Sequence, residues 1–284
     1  MRSMTDWLKA NGTINTGLQA AHLWVLPKRD IDAHNLRAIS RLDVMALLSD
    51  PAANEAYEAA AVRFAALGLD HLKDAANPGD LRALFQLVHA LRPRCVLEIG
   101  TCNGASTAFI AMAMRDLGAE SRCITSIDIV DVDDPERGPW KRSGMPYPPS
   151  EMFERLGVED LVRLEDFGSE AFFRSTGERF DFIFIDGSHR AGDVYADVAG
   201  ALAALRANGV IALHDFYPDA RPLWPGEPSI PGVYLGVIRA IEECRDLGVV
   251  PLKALPWPTK HGGSTTSLAV LTGRRYRHWP VASF

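Results

Sequence analysis

The chain has 284 residues, of which 47% are hydrophobic and 23% charged, and a formal net charge of −6 at pH 7. This composition is typical of a globular protein and argues against collagen-like, coiled-coil and wholly disordered chains. A negative net charge without a basic stripe disfavours a nucleic-acid partner. Four scattered cysteines without paired spacing indicate neither a disulfide framework nor a structural zinc site.

No segment of the chain resembles a membrane span. The N-terminal sequence lacks the apolar stretch of a signal peptide, and no later apolar run reaches the length that a bilayer requires. We therefore expect a cytoplasmic protein without membrane contact. The sequence leaves the oligomeric state open between a monomer and a homo-oligomer.

The first part of the chain is predicted to be helical. Residues 1–76 contain apolar positions at helical spacing and little that suggests a strand, so this region is interpreted as an N-terminal helical extension or cap. A new helix is predicted at Asn77-Pro78, since Asn caps helices well and Pro suits the first helical position. Residues 77–284 are expected to form the main domain.

The main domain alternates strands and helices. Apolar strands are predicted at "CVLEIG", "CITSIDI", "LVRLEDF", "FDFIFID" and "VIALHDF", with helices between them, the last of these helices running through "AGDVYADVAGALAALRANG". This alternation predicts an α/β fold with a doubly wound, Rossmann-like parallel sheet, in which ligands bind beyond the carboxyl ends of the strands. The later segments "VVPLKALPW" and "SLAVLTG" predict a closing antiparallel hairpin.

A glycine turn follows the first predicted strand. Gly100 and Gly104 allow the backbone to approach a ligand, and the next helix offers free N–H groups there. A dinucleotide is disfavoured, because the third glycine of the G-x-G-x-x-G pattern is missing and Glu98 would repel a pyrophosphate. The turn therefore favours a ligand that also carries positive charge, and a tight turn without any ligand is the alternative.

Acidic residues close the next two strands. Asp128 ends the second strand, where a carboxylate can accept hydrogen bonds from both hydroxyls of a ribose. Asp166 ends the third strand, from which a carboxylate can bind an adenine amino group. A surface Asp at the strand end and a helix cap are the respective alternatives.

The ordered set "VLEIGTCNGAS", "SIDI", "LEDF", "FDFIFIDGSH" and "VIALHDF", with the closing hairpin, resembles class I S-adenosylmethionine-dependent methyltransferases over residues 77–273. The resemblance implies a seven-stranded sheet with an antiparallel terminal hairpin. It also implies that the methionine part of the cofactor lies over the Gly100 turn, near Glu98, and that the ribose binds Asp128. The other turn residues predicted to contact the cofactor are Thr101, Asn103 and Ser106.

The ends of the fourth and fifth strands carry "DGSH" and "HD". They resemble the corresponding segments of metal-assisted O-methyltransferases, especially those acting on sugars of macrolide-type natural products. The resemblance implies that Asp186 and Asp215 hold a divalent cation and that His189 is the general base. His214 stands where the family has an acid, and as a third ligand it favours a softer ion than Mg²⁺. The alternative without metal is that Asp186 orders the turn and His214 is a satisfied polar residue.

The sequence thus predicts an enzyme that moves a methyl group from S-adenosylmethionine to a hydroxyl of a small-molecule acceptor, either with a divalent cation or without one. Two alternatives are an N-methyltransferase of a small amine and a noncatalytic cofactor-binding protein. A nicotinamide-dependent oxidoreductase is disfavoured by the Gly100 turn and the hairpin. The aromatic candidates for an acceptor pocket are Trp140, Tyr147, Trp224 and Trp257.

Overall fold

The computed structural model describes residues 16–69, 72 and 75–273. Its centre is a seven-stranded sheet with the strand order β3-β2-β1-β4-β5-β7-β6. The strands are β1 (Val96–Ile99), β2 (Ile124–Asp128), β3 (Val162–Asp166), β4 (Phe180–Ile185), β5 (Leu205–Leu213), β6 (Gly248–Pro251) and β7 (Ala269–Thr272). Residues 1–15 of the predicted helical extension and the tail after residue 273 lie outside the described residues.

The predicted doubly wound sheet and its reversed terminal hairpin are confirmed. The strands β1 to β5 pair in parallel, with β1 between β2 and β4. Strand β7 runs antiparallel to both β5 and β6. The strand order reverses at β1, so the carboxyl ends of β1 and β4 open into the crevice where such sheets bind ligands.

Ten helices flank the sheet in the described part of the chain. They are α1 (16–25), α2 (Arg41–Leu47), α3 (Pro51–Ala65), α4 (Pro78–Leu91), α5 (Ala105–Asp116), α6 (Pro139–Arg142), α7 (Pro149–Leu156), α8 (Ser169–Ser175), α9 (Ala191–Ala204) and α10 (Pro231–Glu243). The predicted start of α4 is confirmed, because Asn77 caps it and Pro78 is its first residue. None of the described helices is long and apolar enough to cross a bilayer.

Two apolar clusters hold the layers together, one on each face of the sheet. The first joins α4, α5 and α7 to the sheet and includes Tyr57 and Phe64 of α3. These two rings pack on Phe109 of α5, with centroid distances of 5.9 and 4.9 Å. The second cluster joins α8, α9 and α10 to the opposite face. The helix α3 is therefore built into the same core as the sheet.

The predicted boundary between α9 and β5 is wrong. We expected the helix to reach residue 209, but it ends at Ala204, and β5 begins at Leu205. Leu205 pairs with Phe180 of β4, and the register shifts before the next pair. Gly209 exchanges backbone hydrogen bonds with the N-terminal segment, accepting from Arg37 and donating to Asn35. Long-range backbone pairing therefore overrides the local helical pattern.

Candidate active site

A cleft of about 1560 Å³ opens at the carboxyl ends of the central strands. The loops after β1, β2, β4 and β5 contribute to its walls, as the topology of a parallel sheet requires. The structure brings nine of the predicted catalytic, cofactor-binding and metal-ligand residues to this one cavity. They are Gly100, Thr101, Asn103, Ser106, Asp128, Asp186, His189, His214 and Asp215.

The turn after β1 needs glycine for two reasons. Gly100 has a φ of +98°, a conformation that L side chains rarely adopt. A Cβ built at Gly100 would also lie 2.2 Å from the backbone oxygen of Asp186. Gly104, at the N-cap of α5, has a φ of +77° and packs against α7. The turn thus brings the ends of β1 and β4 into close contact.

Glu98 lies behind this turn and is 0% exposed. Its Oε2 accepts hydrogen bonds from the hydroxyls of Ser126, at 2.6 Å, and Thr107. Its Oε1 is buried and has no hydrogen-bond partner among the described residues. Burial raises the pKa of Glu98 to about 7, although hydrogen bonds from Ser106, Ser126 and Thr107 oppose the shift. A buried, unpartnered carboxyl oxygen is suited to a cationic ligand group.

The two acids at the ends of β2 and β3 differ in their access to the cleft. Asp128 lines it, and its Oδ2 accepts a hydrogen bond of 2.9 Å from the backbone N–H of Cys102. Asp166 pairs with Asp128 in the sheet but is exposed, and it is not among the described residues that line the cleft. Phe167 and Ser169, which follow it in the chain, do line the cavity.

The side chains at the ends of β4 and β5 form a connected polar chain. His189 Nε2 lies 3.1 Å from Asp215 Oδ2. His214 Nδ1 lies 3.4 Å from Asp215 Oδ1 and 3.3 Å from Asp186 Oδ1. Its Nε2 lies 3.1 Å from Oδ2 of Asp80. Two imidazoles and three carboxylates therefore alternate through this end of the cleft.

The charges of this chain of residues reinforce one another. The hydrogen bond between His189 and Asp215 raises the pKa of His189, although partial desolvation of this half-exposed ring opposes the shift. Burial would lower the pKa of His214, but the negative charges of Asp186 and Asp215 raise it well above its ordinary value. Burial likewise disfavours the charged form of Asp215, yet the charge of His214 and the hydrogen bond from His189 lower the pKa of that carboxyl.

Asp215 also has an uncommon backbone conformation. Its φ of +52° lies in the left-handed region, which residues with a side chain enter at an energetic cost. The residue is the second after the end of β5, and the turn allows its carboxylate to contact both His189 and His214. Such strain is concentrated at functional sites in folded proteins.

Donor atoms of Asp186, His189 and Asp215 lie within 4.8 Å of one another, a spacing at which they can surround a metal ion. His214 Nδ1 faces the same two carboxylates. This set of oxygen and nitrogen donors suits a divalent ion of intermediate softness better than Mg²⁺, which prefers oxygen ligands. The predicted ligands Asp186, His214 and Asp215 are thus brought together, and His189 joins them.

Aromatic residues divide between the cleft and the scaffold. Trp224 lines the cleft with Tyr217, and the two rings meet edge to face at 6.1 Å. The three other aromatic candidates donate hydrogen bonds to backbone oxygens elsewhere: Trp140 to Asp134, Tyr147 to Leu67 and Trp257 to Gly79. One of the four predicted acceptor-pocket aromatics therefore lies in the described cleft lining.

Two contributions to the site are absent from the sequence-based prediction. Asp80, in the first turn of α4, contacts His214, but an acid there has an ordinary helix-capping explanation, so no sequence signal marks it. The helix α3 supplies apolar lining residues, including Tyr57, Ala61 and Phe64. The sequence predicts this region only as a helical extension or cap, because helical periodicity does not identify what a helix face covers.

Part of the chain matches a known protein domain. Residues 97–216, which span the Gly100 turn, Asp128, Asp186, His189, His214 and Asp215, match the family model of a methyltransferase domain. No curated protein matches the chain by sequence.

Two solved structures have a similar fold. A protein from Klebsiella pneumoniae assigned as an O-methyltransferase is 18% identical, with a TM-score of 0.52 over 80% of this chain and 91% of that one. Rv0187 from MTB, solved with its cofactor bound, is 20% identical, with a TM-score of 0.52 over 84% of this chain and 100% of the other. The sheet thus has the Rossmann-like methyltransferase fold, and residues 97–216 match the family model of a methyltransferase domain.

Proposed function

We propose that the protein transfers a methyl group from S-adenosylmethionine to a hydroxyl of a small-molecule acceptor, with His189 as the general base. The observation that carries the proposal is the contact of 3.1 Å between His189 Nε2 and Asp215 Oδ2 within the cleft that also contains the Gly100 turn. An imidazole oriented by a carboxylate is the usual arrangement for removing a proton from a hydroxyl.

Three features support the cofactor. The Glu98 carboxyl has a buried Oε1 without a partner, which suits the ammonium group of the methionine part. The Gly100 turn leaves backbone close to the cavity, and Asp128 lines the cavity at the end of β2 with a carboxylate suited to ribose hydroxyls. When bound there, S-adenosylmethionine supplies an electrophilic methyl group on a sulfonium centre.

The chain's own residues account for activation of the acceptor. His189 takes the hydroxyl proton as the oxygen becomes a nucleophile, and Asp215 stabilises the resulting imidazolium at 3.1 Å. The walls of the cleft hold the acceptor in line with the methyl group, and such positioning supplies much of the rate in group transfer. Trp224 and Tyr217 offer flat faces in the same cavity, which suit a sugar or an aromatic ring.

We further propose that a divalent cation assists the transfer. Asp186, Asp215 and His214 would hold it, and when bound it lowers the pKa of the acceptor hydroxyl. Chelation of the purified enzyme should lower kcat at least ~10-fold, and Mn²⁺ should restore it better than Mg²⁺ because a nitrogen ligand is present. Turnover with and without EDTA, followed by addition of each ion, measures this. Unchanged turnover after chelation would contradict metal assistance and leave the role of His189 intact.

The acceptor class is tested with S-adenosylmethionine carrying a radiolabelled methyl group. Monosaccharide glycosides and catechols represent hydroxyl acceptors, and small primary amines of similar size are the matched controls. We expect label on oxygen in the first group and none on nitrogen in the second. Label confined to the amines would favour the N-methyltransferase, and cofactor binding without any transfer would favour a noncatalytic cofactor-binding protein.

Glu98→Gln should strengthen the fold at neutral pH and weaken cofactor binding. The folded chain keeps this carboxyl protonated up to a pKa of about 7, whereas the ordinary value in the unfolded chain is 4.5. The wild type therefore loses stability as the pH rises through this interval, by about 3 kcal/mol in total, and the variant does not. Urea unfolding at pH 4.5 and pH 8 measures the difference.

In the same variant, the affinity for S-adenosylhomocysteine should fall ~10- to 100-fold, because a hydrogen bond to a charged ammonium group loses its ionic partner. Calorimetric titration measures this affinity. The control is Glu120→Gln, which neutralises an exposed carboxylate and should change neither property. Equal affinities of Glu98→Gln and the wild type would refute the assignment of Glu98 to the ammonium group.

A further inference from the structure

A carboxylate from the first turn of α4 reaches the active-site edge of the sheet. Asp80 is 0% exposed, and its Oδ2 lies 3.1 Å from Nε2 of His214, 134 positions away in the chain. On the other side of the same ring, Nδ1 faces Asp186 at 3.3 Å and Asp215 at 3.4 Å. The imidazole of His214 therefore connects a buried carboxylate to the two carboxylates that line the cleft.

Helix capping does not explain the contacts of this carboxylate. Asn77 is the N-cap residue of α4, and its Oδ1 accepts hydrogen bonds from the backbone N–H groups of Gly79 and Asp80, each at 3.1 Å. The Asp80 carboxylate instead accepts hydrogen bonds from side chains, from Asn77 Nδ2 at 2.7 Å and Thr266 Oγ1 at 2.6 Å. Of its three side-chain partners, His214 alone can carry a positive charge, and a buried carboxylate requires such compensation.

The contact has a direct consequence for the His214 ring. Both carboxylate oxygens of Asp80 act as acceptors, toward Asn77 and Thr266, so the contact with His214 places a proton on Nε2 of that ring. This fixes the orientation of the ring and leaves Nδ1 directed at Asp186 and Asp215. Histidines that hold a metal commonly donate their other N–H to a carboxylate in this way, and loss of that carboxylate typically lowers metal affinity or activity ~10- to 100-fold.

We propose that Asp80 is a positioning residue for methyl transfer, which holds the ring of His214 so that Nδ1 stays directed at Asp186 and Asp215. The role of Asp80 in methyl transfer rests on the proposed function. The orientation of the His214 ring rests on the geometry of Asp80 and His214 alone. The residue acts through His214 and is not itself in the described lining of the cleft.

The test compares Asp80→Asn with a matched control, Thr266→Val. Both variants disturb the same buried cluster. Thr266→Val removes the hydrogen bond to Oδ1 of Asp80 and the one that Thr266 Oγ1 accepts from the backbone N–H of Leu268, whereas His214 contacts Oδ2 of Asp80. The protein is labelled with ¹⁵N-histidine, and the imidazole signals of His214 are assigned by their loss in His214→Gln. We expect a protonated Nε2 in the wild type and in Thr266→Val, and loss of that proton in Asp80→Asn.

A kinetic readout accompanies the spectra, with the hydroxyl acceptor that gives the highest turnover in the radiolabel assay. Asp80→Asn should lower kcat ~10- to 100-fold and leave the affinity for S-adenosylhomocysteine unchanged, since the residue acts on the chemical end of the site. Thr266→Val should keep most of the wild-type kcat. Equal losses of kcat in the two variants, or loss of the Nε2 proton without any loss of kcat, would overturn the proposal.

The outcome separates this proposal from the proposed function. If no hydroxyl acceptor is methylated, the proposed function fails, and the ¹⁵N signals still decide whether Asp80 fixes the His214 ring. If Asp80→Asn does not fold, the wild-type spectrum decides. A His214 ring without a proton on Nε2 would exclude the Asp80 contact and with it the proposal.

Discussion

His189→Gln should lower kcat for methyl transfer to a hydroxyl by about 10²- to 10⁴-fold, the usual contribution of a positioned general base. Glutamine keeps a polar side chain of similar size but cannot accept the proton and pass it on. Binding of S-adenosylhomocysteine should be unchanged. Initial rates with a saturating acceptor measure kcat, and calorimetry measures binding. The control is His34→Gln, because His34 Nδ1 contacts Asp32 Oδ2 at 2.5 Å outside the described cleft lining.

The pH dependence of the wild type gives a second readout of the same residue. The carboxylate of Asp215 raises the pKa of His189 above its ordinary value of 6.5. A base works in its neutral form, so kcat/KM should rise with pH and level off above that raised pKa. His189→Gln should lack this rise. If the variant retains both the wild-type kcat and the same pH profile, His189 is not the base.

Gly100→Ala should destroy cofactor binding and weaken the fold. Its φ of +98° is unfavourable for alanine, and the added Cβ would lie 2.2 Å from the backbone oxygen of Asp186, so β1 and β4 must move apart at their ends. Strain and overpacking together should lower the free energy of unfolding by about 3 kcal/mol or more. The affinity for S-adenosylhomocysteine should fall more than ~100-fold, because the turn that supports the cofactor is displaced.

Gly118→Ala is the matched control for this variant. Gly118 has a φ of +80°, and nothing lies within 4 Å of a Cβ built on it. Its replacement should cost about 1 to 2 kcal/mol for the left-handed conformation alone and leave binding unchanged. Urea unfolding and calorimetry of both variants separate backbone strain from the contact with Asp186. Equal effects of the two replacements would contradict the role assigned to the Gly100 turn.

The strand-end residues of the site were accessible to sequence reasoning. In a parallel sheet, residues at the carboxyl ends of neighbouring strands lie close together, so Gly100, Asp128, Asp186 and Asp215 could be placed at one edge once the strands were recognised. The positions of these strands along the chain and the closing hairpin followed from apolar runs and turn residues. Local patterns sufficed here because each residue's position is determined by its own strand.

Other features required tertiary contacts that no local pattern contains. Asp80 reaches His214 across 134 positions, and a carboxylate in a first helical turn is ordinary without such a partner. The boundary at Leu205 is set by pairing with Phe180. Asp166 follows the same strand-end pattern as Asp128, yet it is exposed and outside the described cleft lining, because the pattern places a residue at an edge without fixing its access to the cavity.

A crystal structure of the enzyme with S-adenosylhomocysteine tests the central claim most directly. The account predicts the ribose hydroxyls within about 3 Å of the Asp128 carboxylate and the methionine ammonium group at a similar distance from Glu98. The sulfur should then lie on the side of the cleft that contains His189. Adenosine bound away from Asp128, or a ligand that leaves the Gly100 turn uncovered, would contradict the account.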